Sequence, residues 1–122
     1  MWGLVSREKP VAGTIVSAEE RQDALVLRVQ GRLQLEQLEP LRKRLQLVWR
    51  SRPARLILEF SDCPFVDSAG IAVVVGAHKH AREAGMGFFL VGVGAQFHNA
   101  LQVTRLDEVF DIRDSLEAAL AG

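Results

Sequence analysis

The chain has 122 residues, 48% of them apolar and 25% charged, which fits one folded domain and excludes both a two-domain protein and a disordered one. Fifteen basic side chains balance fifteen acidic ones, so the molecule as a whole gives no electrostatic reason to bind nucleic acid or an anionic membrane. Cys63 is the single cysteine, which rules out an internal disulfide and a four-cysteine zinc site and fits a reducing, cytoplasmic home.

Residues 1–12 are expected to form an N-terminal extension or edge segment ahead of a single domain spanning residues 1–122. Trp2, Leu4 and Val5 are followed by Arg7, Glu8 and Lys9, too short an apolar stretch for a signal peptide. The longest apolar runs, Ile71 to Ala77 and Phe88 to Ala95, are less than half of a membrane-spanning helix, so a soluble protein is expected.

A first strand at about Thr14 to Ser17 is expected to pair, through a polar turn at Glu19 to Asp23, with the alternating strand Ala24 to Gln30. Leu38, Leu41, Leu45 and Val48 then recur at helical spacing. The helix begins between Glu36 and Glu39, so Pro40 falls in its first turn, and Arg52-Pro53 ends it. Leu56 to Phe60 is short, branched and nearly all apolar, as befits a strand covered on both faces. Ile71, Val74, Val75 and His78 mark a second helix over Ser68 to Ala84, stopped by Gly85. Phe88 to Val93 reads as another buried strand. Gly94 opens a helix carrying Phe97, Ala100, Leu101 and Thr104 on one face. A short strand at Val109 to Ile112 leads to a last helix through Leu116, Ala119 and Leu120, with Asp114 and Glu117 placed to cap it. The order β-β-α-β-α-β-α-β-α specifies an α/β fold: a small mixed, mainly parallel sheet flanked by helices, with an antiparallel opening hairpin.

Charge is unevenly distributed. Residues 1–55 hold 11 Lys and Arg against 6 Asp and Glu, a net of +5, and residues 56–122 hold 4 against 9, a net of −5. The basic excess concentrates in Arg42 to Arg55, which reads either as a solvated helix face or as a docking surface for an acidic partner. Only Trp49 interleaves that cluster, too little for a nucleic-acid stacking platform.

Phe65-Val66-Asp67-Ser68-Ala69-Gly70 lies between a buried strand and the start of a helix. Asp67 is placed to cap that helix. The free amides and dipole of the helix end would accommodate a phosphoryl group on Ser68, with a change of about two charge units. The plain alternative is that Asp67 and Ser68 serve only as helix caps.

Other chemistry is poorly supported. A hydrolase built on Ser68 has Val66 where a nucleophile elbow has glycine, and His78, His80 and His98 offer no ordered acid–histidine pairing. His78 and His80, two apart on a helix, point to different faces, which argues against a metal site. Gly92-Val93-Gly94 lacks the rest of a dinucleotide fingerprint. No catalytic residue, metal or cofactor is expected, and Cys63 before Pro64 has no reactive context.

Leu56-Ile57-Leu58-Glu59-Phe60, then Phe65-Val66-Asp67-Ser68-Ala69-Gly70-Ile71, then Gly85 ahead of the strand Phe88 to Val93, resembles the STAS domain family, and specifically the anti-sigma factor antagonists, over about Thr14 to Leu120. The resemblance implies that Ser68 is a phosphoacceptor, supported by Asp67, Ala69 and Gly70. It implies a non-enzymatic binding protein that takes part in partner switching. Unphosphorylated, such a protein binds an anti-sigma factor that is also a serine kinase; phosphorylation releases it, a phosphatase resets it, and sigma-factor-dependent transcription follows the cycle. Where the family commonly shows two acids around a leucine, this chain has Arg32-Leu33-Gln34, which implies a partner with a different surface or another branch of the family. In that branch the protein would be a docking subunit of a transporter ATPase with no phosphorylation cycle.

Overall fold

The computed structural model describes residues 13–122; the extension or edge segment expected at residues 1–12 lies outside the described residues. Leu56, Ile57, Leu58 and Phe60 are buried on both faces of β3 (Arg55–Asp62), and this apolar run places β3 at the centre of a five-stranded sheet. The sheet runs β1 (Ile15–Arg21), β2 (Ala24–Gln30), β3, β4 (Gly87–Val91), β5 (Asp111–Arg113), in chain order. β1 pairs antiparallel with β2, and all later neighbours are parallel, with Leu27 beside Leu58 and Leu58 beside Leu90.

Each parallel step needs a crossover helix: α1 (Glu39–Ser51), α2 (Ser68–Glu83) and α3 (Ala95–Val103). Strand–helix–strand units of one hand put all three on the same face. There Leu41, Leu45 and Val48 of α1, Val74, Ala77 and Ala81 of α2, and Phe97 and Leu101 of α3 pack on Leu27, Val29, Leu56, Leu58, Phe60 and Leu90. The opposite face is covered more thinly by α4 (Leu116–Ala121), whose Ala119 and Leu120 meet Val26, Ile57, Phe89 and Val91. Pro40 sits in the first turn of α1, and Arg52 in the left-handed region ends that helix, as the Arg52-Pro53 pair predicts.

Four boundaries differ from the sequence reading, each for a physical reason. β1 continues through Glu19 to Arg21, and the turn tightens to Gln22-Asp23 with Gln22 at φ 57°; an edge strand that buries only Val16 carries polar residues without breaking. β4 stops at Val91 because Gly92 turns the chain at φ 70°. Val109 is 50% exposed behind a single 3-10 turn, Leu106–Glu108; Phe110 takes the core position and the strand begins at Asp111. The cap of α4 is Ser115, whose hydroxyl accepts from the Ala118 N–H at 3.1 Å, rather than Asp114. Within α2 the buried stripe is Gly70, Val74, Ala77 and Ala81, with Val75 turned outward, and Thr104 is exposed just past α3.

Candidate functional site

The three crossover loops meet at the C-terminal ends of the parallel strands, the edge where open α/β sheets place their ligands. Asp67 organises the meeting. Its backbone is extended, as an N-cap residue requires, and its Oδ1 accepts from the Gly70 N–H at 2.8 Å. Its Oδ2 accepts from the Leu35 N–H at 3.0 Å, which ties the loop after β2 to the start of α2. Two backbone bonds reinforce this tie: Leu33 N–H to Phe65 O at 2.9 Å and Asp67 N–H to Leu33 O at 3.1 Å. Gly70 allows the approach. A Cβ there would lie 2.6 Å from the Leu33 carbonyl oxygen and 2.9 Å from Val66 Cγ1. From the other side Gln96, in the first turn of α3, grips the Val66 peptide: its Oε1 accepts from the N–H at 2.9 Å and its Nε2 donates to the C=O at 3.0 Å.

Ser68 stands on this knot as the first helical residue of α2, and it is exposed; Asp67 and Ala69 are half-buried and Gly70 is buried. Its hydroxyl is at the positive end of a 16-residue helix whose first turn holds no other acid. Beside it the loop residues present Leu35, 70% exposed, and Arg32, whose guanidinium lies 4.5 Å from the centre of the Phe65 ring. The four residues singled out in the sequence therefore fall in one helical turn. Phe65, which opens the same sequence motif, lies beside them, and Leu35 and Gln96 join without any local signal, because their partners lie about thirty residues away in the chain.

The remaining candidates lie elsewhere. His78 and His80 are ten and twelve residues along α2, roughly 15 to 18 Å from Ser68 along the axis at the usual helical rise. His78 is wedged edge-on against Phe88 and Phe110, at 5.4 and 5.3 Å, and burial, with Arg82 adding to it, lowers its pKa. His80 stacks flat on Trp49 at 4.0 Å. His98 lines a separate cleft with Asp107, Asp111 and Asp114. Among the described residues no group of three or more His, Cys, Asp or Glu could hold a metal ion. Cys63 is buried, its thiol 3.5 Å from the Phe65 carbonyl that accepts from it, and burial pushes its pKa up, away from a reactive thiolate.

The basic stretch Arg42 to Arg55 divides in two. Arg44 donates to the Val16 carbonyl at 3.1 Å, and Arg55 donates to the Ala119 and Leu120 carbonyls, so both serve the fold. Arg42, Lys43, Arg50 and Arg52 remain exposed.

A mainly parallel five-stranded sheet with three helices on one face, and an exposed serine at the first position of the second, defines a small α/β module. Residues 16–119 match the model of the STAS domain, and the chain belongs to that family. An anti-sigma F factor antagonist of Paenibacillus polymyxa is 23% identical over 106 residues, 86% of this chain and 91% of that one. The solved structure of an anti-sigma factor antagonist from Mycobacterium paratuberculosis superposes with a TM-score of 0.82 at 21% identity, covering 88% of this chain and 92% of that one. The Bacillus cell fate determinant SpoIIAA in its phosphorylated form superposes at 0.67 with 19% identity, covering 84% and 95%. At these identities the structural likeness shows the fold. Among the described residues no helix is long and apolar enough to cross a membrane.

Proposed function

We propose that the protein is an anti-sigma factor antagonist that works by partner switching, with Ser68 as its phosphoacceptor. The observation that carries this reading is the division of labour at the helix start: Asp67 makes both structural bonds while Ser68, one residue on, is exposed and carries no structural load. The names of the similar proteins support the same reading. In it, unphosphorylated Ser68 lies within a face that binds an anti-sigma factor with serine kinase activity and so frees a sigma factor. The kinase transfers the γ-phosphoryl group of ATP to the Ser68 oxygen, ADP leaves, and the hydroxyl proton passes to a base of the kinase. The modified helix end carries about two added negative charges beside Leu35, Phe65 and the Asp67 carboxylate, which opposes partner binding through repulsion and desolvation. A phosphatase restores the hydroxyl. The chain itself catalyses nothing and needs no cofactor; residues 1–122 act as one cytoplasmic domain.

The test is the intact mass of the protein isolated from its native cells, beside a Ser68→Ala version expressed the same way. One phosphoryl increment in the wild type and none in the variant is expected. If phosphatase inhibition and several growth conditions yield no modified form, the reading fails, and a docking subunit of a transporter ATPase, which Arg32-Leu33-Gln34 also suits, takes its place.

A further inference from the structure

Between α1 and α2, away from the sheet, runs an open groove of about 340 Å³. Arg42 and Gln46 form one wall, Ala72 and Gly76 the other, and the stacked rings of Trp49 and His80 close its far end. Gly76 carries the argument. It sits in the interior of a 16-residue helix, is exposed, and a Cβ built on it would meet nothing within 4 Å. The fold therefore does not require glycine there, although glycine is the poorest helix former after proline. What a bare Cα offers at such a place is close approach by something outside the chain, since the distance between packed helices is set by the side chains at their contact.

Two observations define the visitor. Arg42 is the one Lys, Arg, Asp or Glu that lines the groove, and the other exposed charges of α1 are Lys43 and Arg50 against the single acid Glu39 at its first residue, so the α1 side is cationic and favours an acidic occupant. The α2 wall runs from Ala72 to His80, about two helical turns, and across the groove α1 sets the Arg42 cation at one end and Trp49, stacked on His80, at the other, with Leu45 and Val73 between them. We infer that this groove docks an acidic amphipathic helix of the partner protein, with its backbone crossing Gly76, an apolar side chain against the Trp49–His80 pair, and its carboxylates facing Arg42. The site is distinct from Ser68 and rests on the function proposed above only for which protein carries the helix.

The probe is a synthetic amphipathic helix of alternating glutamate and leucine faces, about four turns long, with a lysine-for-glutamate counterpart as control. It is titrated into the full-length, nitrogen-15-labelled protein. The expected result is a saturable shift of the Trp49 indole and the Gly76 and Arg42 amides with the acidic helix alone. Gly76→Leu, which fills open space, and Arg42→Glu, at an exposed position, should each melt cooperatively and weaken binding by about tenfold or more, the usual loss for a central interface contact. Equal binding of the lysine helix, no saturable shift, unchanged affinity in both folded variants, or groove shifts driven by protein concentration alone, which would make a second copy the occupant, each overturn the inference. No step of this experiment involves phosphorylation, so its failure leaves the Ser68 reading standing, and a failed mass test leaves the groove standing.

Discussion

At the start of α2 a distant part of the chain engages each structural group: Asp67, which caps the helix at Gly70, also holds Leu35, Val66 is gripped by Gln96, and the Gly70 Cα lies against the Leu33 carbonyl. Two turns further along the same helix, Gly76 faces open space and the nearby ring pair of Trp49 and His80 borders an open groove. The same residue type is thus a necessity at position 70 and a concession at position 76. The contrast teaches that a glycine's meaning is read from what a Cβ would strike, and that a concession made by the fold points outward.

The sharpest way to break the contrast is Gly70→Ala. Its Cβ would collide with the Leu33 backbone oxygen as well as with the short, buried Val66 side chain, so a loss of about 2 to 4 kcal/mol is expected in urea denaturation, and a near-neutral result would mean that the knot at the strand ends is loose. Asp67→Ala removes a cap and the Leu35 bond together and should cost about 1 to 2 kcal/mol by the same measurement. Gly76→Ala should do the reverse, stabilising by about 0.5 to 1 kcal/mol through helix propensity alone. Ser68→Ala should change stability by less than about 0.5 kcal/mol, because the cap is its neighbour, and a larger loss would show that the serine has a structural duty.

A fifth, smaller effect belongs to the third side of the helix. His78, held among Phe88 and Phe110 with Arg82 near, has a folded-state pKa below the ordinary 6.5. The unfolded chain then takes up the proton first, so stability contributed by the neutral ring is whole above about pH 6.5 and declines as pH falls through that value. The melting temperature of His78→Gln should fall less than that of wild type on going from about pH 7.5 to pH 5.5.

Much of this was legible in the residues themselves. A continuous run such as Leu56 to Phe60 admits one placement, and an aspartate ahead of an apolar helical repeat is a strong cap signal, so the centre of the sheet and the start of α2 followed from local pattern. The misplaced elements share a cause. Glu19 to Arg21 belong to an edge strand whose outer face is wet and carries no apolar period, and Asp114 and Ser115 are both good caps until the backbone selects one. The Leu35 and Gln96 bonds and the Trp49–His80 pair join residues about thirty apart in sequence, and no spacing rule reaches that far.

Because the serine at position 68 is free of structural work while its neighbours carry all of it, the fold has separated the letter that can be rewritten from the grammar that keeps the sentence readable. A single codon change there could add or delete the hydroxyl with little demand for compensating substitutions elsewhere. The same economy makes position 68 a convenient place to install a chemical handle in the laboratory.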